Sequence, residues 1–135
     1  VDVIVAVAGA EPLGIARFLH GYAELRALIG STPVVVAVNR SRSGPLGIDA
    51  RGQVRQTLER FAGIRDPHFL PEDRRAADAA LLHARPMAEV APRSPLVSAV
   101  RRLAHALPGD GAVPADTASD RPPRRRRIRR PSSRR

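Results

Sequence analysis

Two short runs of apolar, mostly β-branched residues stand out near the start of the chain. They cover residues 3–8 and 34–38, and neither alternates with polar side chains. Strands that are apolar on both faces are typical of a parallel sheet covered by helices above and below. Both runs are therefore predicted to be buried strands, and a shorter third strand is predicted over residues 68–70.

The segments between these runs show the three- and four-residue spacing of amphipathic helices. Asp49, Asp73 and Ser94 are placed to cap helices, with Pro95 at a first helical position and Gly30 at a left-handed C-terminal position. Residues 40–48 are predicted to form a loop and residues 85–93 an extended segment. The predicted helices cover residues 15–29, 49–62, 73–84 and 95–107.

Alternation of strands and helices predicts an α/β fold: a partial parallel sheet of about three strands with flanking helices, in one domain over residues 1–107. A parallel sheet of three strands is small, and a Val-rich edge strand is seldom left unpaired and exposed. The chain also enters its first strand almost directly after Val1. We therefore expect the protein to extend upstream of this residue.

Residues 108–135 have a different composition, dominated by Pro, Gly, Asp, Ala and Arg. They hold 9 Arg and 3 acidic residues, a charge of +6 out of the total of +10. Such a segment buries too little apolar surface to fold, and it is predicted to be disordered. Its charge would attract nucleic acid or acidic lipid without sequence preference, although it is equally explained as a solvated tail. The candidate contact residues are Arg124, Arg125, Arg126, Arg127, Arg129 and Arg130.

The residue types that are missing exclude several kinds of chemistry. The chain has no Lys and no Cys, which excludes a Schiff-base nucleophile, a lysine-containing phosphate loop and a thiolate site within it. His20, His68, His83 and His105 lack metal-ligand spacing, so no metal site is predicted. No apolar run approaches the roughly 20 residues of a transmembrane helix. A cytoplasmic location is expected.

The carboxyl ends of the predicted strands are the first place to look for a ligand site, because open α/β sheets bind ligands there. Asn39 could read the edge of a purine base, and Arg40 could stack on a base or meet a phosphate. Pro71, Glu72 and Asp73 follow the third strand. Ordinary structural roles explain the same residues, since Asn39 can end a strand and Asp73 can cap a helix.

Four motifs in order resemble the C-terminal half of MinD/ParA-type ATPases, P-loop proteins with a deviant Walker A motif. The first motif is Asp2 and the first strand, followed by Glu11-Pro12, and the second is the Asn39-Arg40 that ends the second strand. An Ala-rich helix is preceded by the third motif, Leu70-Pro71-Glu72-Asp73. The last helix is preceded by the fourth, Ala91-Pro92-Arg93-Ser94. The family includes pilus-assembly, septum-site and chromosome-partitioning branches.

The resemblance implies an ATP-binding protein that acts in spatial positioning or partitioning and dimerises in its ATP state. Asn39 would hydrogen-bond the base, and the loop of Pro71, Glu72 and Asp73 would close over it. The phosphate-binding loop and the groups that hold Mg²⁺ would lie upstream of Val1. This chain alone is therefore not expected to hydrolyse ATP.

Two other interpretations remain open. In the first, the α/β domain is a scaffold, and the arginine-rich tail makes the chain a nucleic-acid-binding or adaptor protein. In the second, the chain is an inactive remnant, which would be poorly soluble because its apolar strand edge could pair with other chains.

Overall fold

A computed structural model describes residues 2–42 and 49–108. The strands are β1 (Ile4–Gly9), β2 (Val34–Ser41) and β3 (His68–Pro71). The helices are α1 (Pro12–Ile29), α2 (Ala50–Ala62), α3 (Arg74–His83), α4 (Met87–Val90) and α5 (Pro95–Ala106). The prediction of an α/β fold with a three-stranded parallel sheet and flanking helices is confirmed. The division at residue 107 stays a prediction, and the six candidate tail arginines lie outside the described residues.

The three strands form one parallel sheet in the order β1-β2-β3. β2 lies in the centre, and its register with β1 runs from Ile4 opposite Val34 to Gly9 opposite Asn39. The carboxyl ends of all three strands therefore lie along one side of the sheet, called the carboxyl edge here, and a helix leads from each strand back to the start of the next. This arrangement makes one edge of the sheet the meeting point of three loops.

The larger part of the core lies on the face of the sheet that α1 and α2 cover. Ile15 of α1 and Leu58 of α2 pack with Val36 and Val38 of β2 on this face. Leu58 and Val38 are fully buried. Alternation along β2 sends Ala37 to the other face, where it packs with Leu70 and with Ala99 of α5.

The prediction that β1 is buried on both faces is wrong within the described residues. Val5 and Val7 are 38% and 58% exposed, whereas Ala8 is buried. The reason is that α5, the helix that packs on this face, contacts β3 at the far side of the sheet. Its core partners are Ala37 and Leu70, so the β1 part of the face stays uncovered.

The helix caps follow the sequence closely. The side chains of Asp49, Asp73 and Ser94 accept hydrogen bonds from the backbone N–H groups of Gly52, Ala76 and Leu96, which confirms all three predicted caps. Such bonds satisfy N–H groups that the first turn of a helix leaves without a partner.

Three local predictions need correction. Residues 85–93 are not extended throughout, because the backbone N–H of Ala91 bonds to the carbonyl of Met87 and closes the short helix α4. The segment predicted as a loop from residue 40 begins inside β2, which continues to Ser41. Gly30 has a positive φ of 58°, but its ψ of −122° is not that of a left-handed helical cap.

No helix in residues 2–42 and 49–108 combines the length and the apolar character that crossing a bilayer requires.

Leu58 provides a test of the core on the α1–α2 face. Leu58→Ala removes a side chain with no exposed surface, and we expect it to lower the free energy of unfolding by about 2–5 kcal/mol. Leu28→Ala is the matched control, because Leu28 is 86% exposed. Urea unfolding followed by circular dichroism measures both. Equal losses in the two variants would contradict the packing described for α2.

Candidate functional site

The backbone links the ends of all three strands at one edge of the sheet. The N–H of Ala10, just after β1, donates to the carbonyl of Asn39 at 3.0 Å. The N–H of Glu72, just after β3, donates to the carbonyl of Ser41 at 3.0 Å. Residues that are far apart in the sequence therefore lie side by side here, at the carboxyl edge where open α/β sheets bind ligands.

The end of β2 departs from regular strand geometry. Its register with β3 shifts between Val38 and Ser41, and Arg40 has a positive φ of 57°. Few residues other than glycine adopt this conformation. The Asn39 side chain supports it, because Asn39 Oδ1 accepts a hydrogen bond of 2.8 Å from the Arg40 backbone N–H. The bulge re-aims the side chains that follow it.

A cavity of about 520 Å³ lies at this edge, on the side of the sheet that α2 covers. Its volume falls within the range of roughly 300–1,000 Å³ that small-molecule sites occupy. Four guanidinium groups and two carboxylates line it, together with an apolar wall formed by Ala10 after β1 and by side chains of α2 and β3. The lining residues are Ala10, Glu11, Arg40, Ser41, Arg42, Ala50, Arg51, Val54, Phe69, Glu72 and Arg74.

Glu72 joins two of these arginines. Its carboxylate accepts hydrogen bonds from Arg42 Nε and, at 3.0 Å, from Arg74 Nε. The Glu72 side chain is only 17% exposed, whereas both arginine side chains are largely exposed. The hydrogen bonds from Arg42 and then Arg74 lower the pKa of Glu72 from 4.5 to about 2, against the opposing effect of desolvation. The same contact raises the pKa of Arg42.

Arg40 and Glu11 form a second ion pair across the cavity mouth. Arg40 Nη2 lies 3.1 Å from Glu11 Oε1, and both side chains are more than half exposed. Exposed pairs of this kind contribute little to stability.

Arg51 was not anticipated from the sequence. Its Nε donates to Ser41 Oγ at 3.0 Å, and its guanidinium carbon lies 5.6 Å from the centre of the Phe69 ring. Arg55 lies at the same distance from this ring. The sequence did contain one indication of its role, because Arg51 lies in the first turn of α2 and helices that follow parallel strands start at the carboxyl edge.

The five residues predicted after the strands do not all meet in the cavity. Arg40 and Glu72 line it, whereas Asn39, two residues before the end of β2, and Pro71, the last residue of β3, do not. Asp73 belongs to a different contact, in which it caps α3 and accepts a 2.7 Å hydrogen bond from Ser94 Oγ. These two bonds, the one from Ser94 first, lower the pKa of Asp73.

Ser94 connects the starts of two helices. Its hydroxyl donates to Asp73 at the start of α3 and accepts from the Leu96 N–H at the start of α5. Ser94 is buried, so both bonds are shielded from water. Asp73, at the start of α3, is therefore tied to the start of α5.

A second, more apolar groove adjoins the cavity between α1 and α2. It has a volume of about 390 Å³ and shares Ala10, Ala50 and Val54 with the cavity. Apolar side chains form most of its remaining surface, with two polar side chains from α2. These residues are Pro12, Ile15, Ala16, Leu19, Gln53 and Thr57. The two spaces together join an apolar surface to a cationic one.

The donor set of the described residues does not suit a metal ion. Residues 2–42 and 49–108 contain no group of three His, Asp or Glu side chains that could hold one. Glu11 and Glu72, the carboxylates of the cavity, are each engaged by arginine.

Comparison with protein-family models and with curated proteins found no match. Among solved structures, the fold is similar to the crystal structure of a ParA family ATPase from Chlorobium tepidum TLS, with a TM-score of 0.61 and 18% sequence identity. The match covers 80% of this chain and 42% of that protein. At this identity the likeness concerns the fold alone. The chain has a ParA-like fold and spans less than half the length of this neighbour.

Glu72 makes stability depend on pH in a defined direction. Because the pKa of Glu72 is lowered in the folded state, its carboxylate contributes fully to the stability of the fold above pH 4.5. This contribution is lost as the pH falls toward about 2. We expect the melting temperature of the wild type to fall more steeply over this interval than that of Glu72→Gln. Thermal melts between these two pH values measure the difference.

Glu89→Gln is the control for this prediction. Glu89 also bonds to an arginine, Arg85, but in an exposed i,i+4 pair on the surface. We expect its melts to follow those of the wild type. If the melting temperatures of the wild type and of Glu72→Gln fall in parallel with pH, Glu72 is not the group responsible for the pH dependence.

Proposed function

We propose that this chain is the C-terminal part of a nucleotide-binding ATPase of the MinD/ParA type, and that it supplies the contact to the adenine base. The observation that carries the proposal is the ParA-like sheet, in which the strand ends bring Asn39, Arg40 and the 71–73 segment to one edge. In open α/β folds this edge is where ligands bind.

Asn39 has a suitable chemistry for reading a base. Its Oδ1 is held by the Arg40 N–H, which fixes the orientation of the side-chain amide. The NH₂ group of the same amide makes no hydrogen bond to any residue in the described ranges and is a donor suited to a ring nitrogen of adenine. Arg40 and the segment of Pro71, Glu72 and Asp73 would form the walls beside the base.

The phosphates and Mg²⁺ would be held by another part of the protein. The chain has no lysine for a phosphate-binding loop, and the described residues offer no suitable ligand set for the ion. The uncovered face at Val5 and Val7 supports a neighbouring element there, since parallel sheets are normally covered on both faces. No step of hydrolysis is assigned to residues of this chain.

The wider role belongs to the same proposal. A MinD/ParA-type protein would act in the cytoplasm, in spatial positioning or partitioning of chromosome, septum or pilus machinery. ATP binding would drive homodimerisation, and hydrolysis would reverse it. The support for this role is the fold likeness to a ParA family ATPase.

Asn39→Ala tests the base contact. We expect it to weaken binding of adenosine to the 135-residue chain by about tenfold, the value of a hydrogen bond that a rigid site has oriented. Gln56→Ala is the control, because Gln56 is an exposed amide on α2 away from the strand ends. Ligand-observed nuclear magnetic resonance titrations give the affinities.

Tripolyphosphate, which has no base, separates this contact from a general loss of anion binding. Its affinity should be the same in the wild type and in Asn39→Ala. Adenosine binding that is equal in the wild type and in both variants, or absent from the wild type, would refute the base contact.

The alternative is a nucleic-acid-binding or adaptor protein that acts through residues 108–135, and it is supported by the charge of that segment alone. Deleting these residues should then abolish binding to a DNA duplex, and the salt dependence of binding should disappear with it. Fluorescence anisotropy at several salt concentrations measures both effects. If DNA binding survives the deletion, the contact lies outside residues 108–135 and this alternative function is contradicted.

A further inference from the structure

We infer that the arginine-lined cavity and the adjoining α1–α2 groove form a binding site for a small organic oxoanion, with Arg51 as its anchor. The ligand class is a phosphate monoester or a carboxylate that carries an apolar group. This site shares Arg40 and Glu72 with the proposed walls beside the base, but it does not include Asn39 and does not depend on the base contact.

The orientation of Arg51 is the first support. Ser41 Oγ accepts a hydrogen bond from Nε, and the guanidinium carbon lies over the Phe69 ring, 5.6 Å from its centre. Ser41 is buried, so the group that positions Arg51 is itself fixed. The two terminal nitrogens make no hydrogen bond to any residue in the described ranges. They form the fork that binds the two oxygens of a phosphate or carboxylate.

The charge balance of the cavity is the second support. Glu72 engages Arg42 and Arg74, and Glu11 engages Arg40. Within residues 2–42 and 49–108, Arg51 forms no ion pair with a carboxylate. Four positive groups against two negative ones leave an excess of two positive charges in a partly apolar enclosure. Such an enclosure strengthens the attraction for an anion relative to open water.

The α1–α2 groove supplies the apolar part of the site. Ala50 and Val54, on the same helix as Arg51, line both the groove and the cavity. A ligand whose anionic group meets Arg51 can therefore place an attached ring or short chain against Ile15 and Leu19. Apolar pockets with a few oriented polar groups are the usual form of small-molecule sites.

The lining of the cavity separates this site from Asn39. Asn39 does not line the cavity, whereas Arg51 does. A ligand without adenine can therefore test the oxoanion site alone.

The test uses phenyl phosphate, benzoate and inorganic phosphate with the 135-residue chain. Two-dimensional ¹⁵N nuclear magnetic resonance follows the backbone amides of Ser41, Arg51 and Val54, so that binding to the tail arginines is not counted. We expect phenyl phosphate or benzoate to shift these amides and to bind more tightly than inorganic phosphate. We expect Arg51→Ala to weaken this binding by at least about tenfold.

Two variants make the result specific. Arg60→Ala is the matched control, because Arg60 lies on the same helix and stacks on Phe61 at 5.4 Å but lines neither space. Its affinity should equal that of the wild type. Arg51→Lys keeps the charge without the fork, and we expect an affinity between those of the wild type and Arg51→Ala.

Thermal melts confirm that the variants fold. The proposal is overturned if neither organic anion shifts the three amides in the wild type. It is also overturned if Arg51→Ala and Arg60→Ala lose the same affinity, or if inorganic phosphate binds as tightly as phenyl phosphate.

Discussion

The parallel pairing of β1 and β3 with the central strand β2 is the constraint on which the rest of the structure depends. Because the strands run in one direction, every strand ends at the same edge, and the loops that follow must meet there. Backbone hydrogen bonds from Ala10 to Asn39 and from Glu72 to Ser41 tie these loops together. The cavity, its arginines and its carboxylates are consequences of that convergence.

Two carboxylates bind most of the arginines at this edge. Glu72 and Glu11 hold three of the four cavity arginines, while the fourth, Arg51, is held by a hydroxyl and an aromatic ring. Pairing fixes the long side chains without cancelling the positive field. The edge therefore combines ion pairs of defined geometry with a net positive charge.

The sequence was most informative where local physics decides the outcome. Asp49, Asp73 and Ser94 cap their helices because a short side-chain oxygen satisfies backbone N–H groups at a helix start in almost any context. The apolar runs form strands because pairing in a sheet covered by helices buries apolar side chains. Residues 85–93 were harder, because the single turn of α4 is too short to show helical periodicity.

The sequence by itself determined the α/β class, the order of every element except α4, and the presence of Arg40 and Glu72 near strand ends. Tertiary structure decided what those residues contact. Asp73 contacts Ser94 and does not line the cavity, whereas Arg51 of α2 does line it. Val5 and Val7 are exposed because no helix in the part of the chain that the structure describes covers them. The physical reason is that residue spacing fixes which face a side chain takes, whereas the packing of helices on the sheet selects its partner.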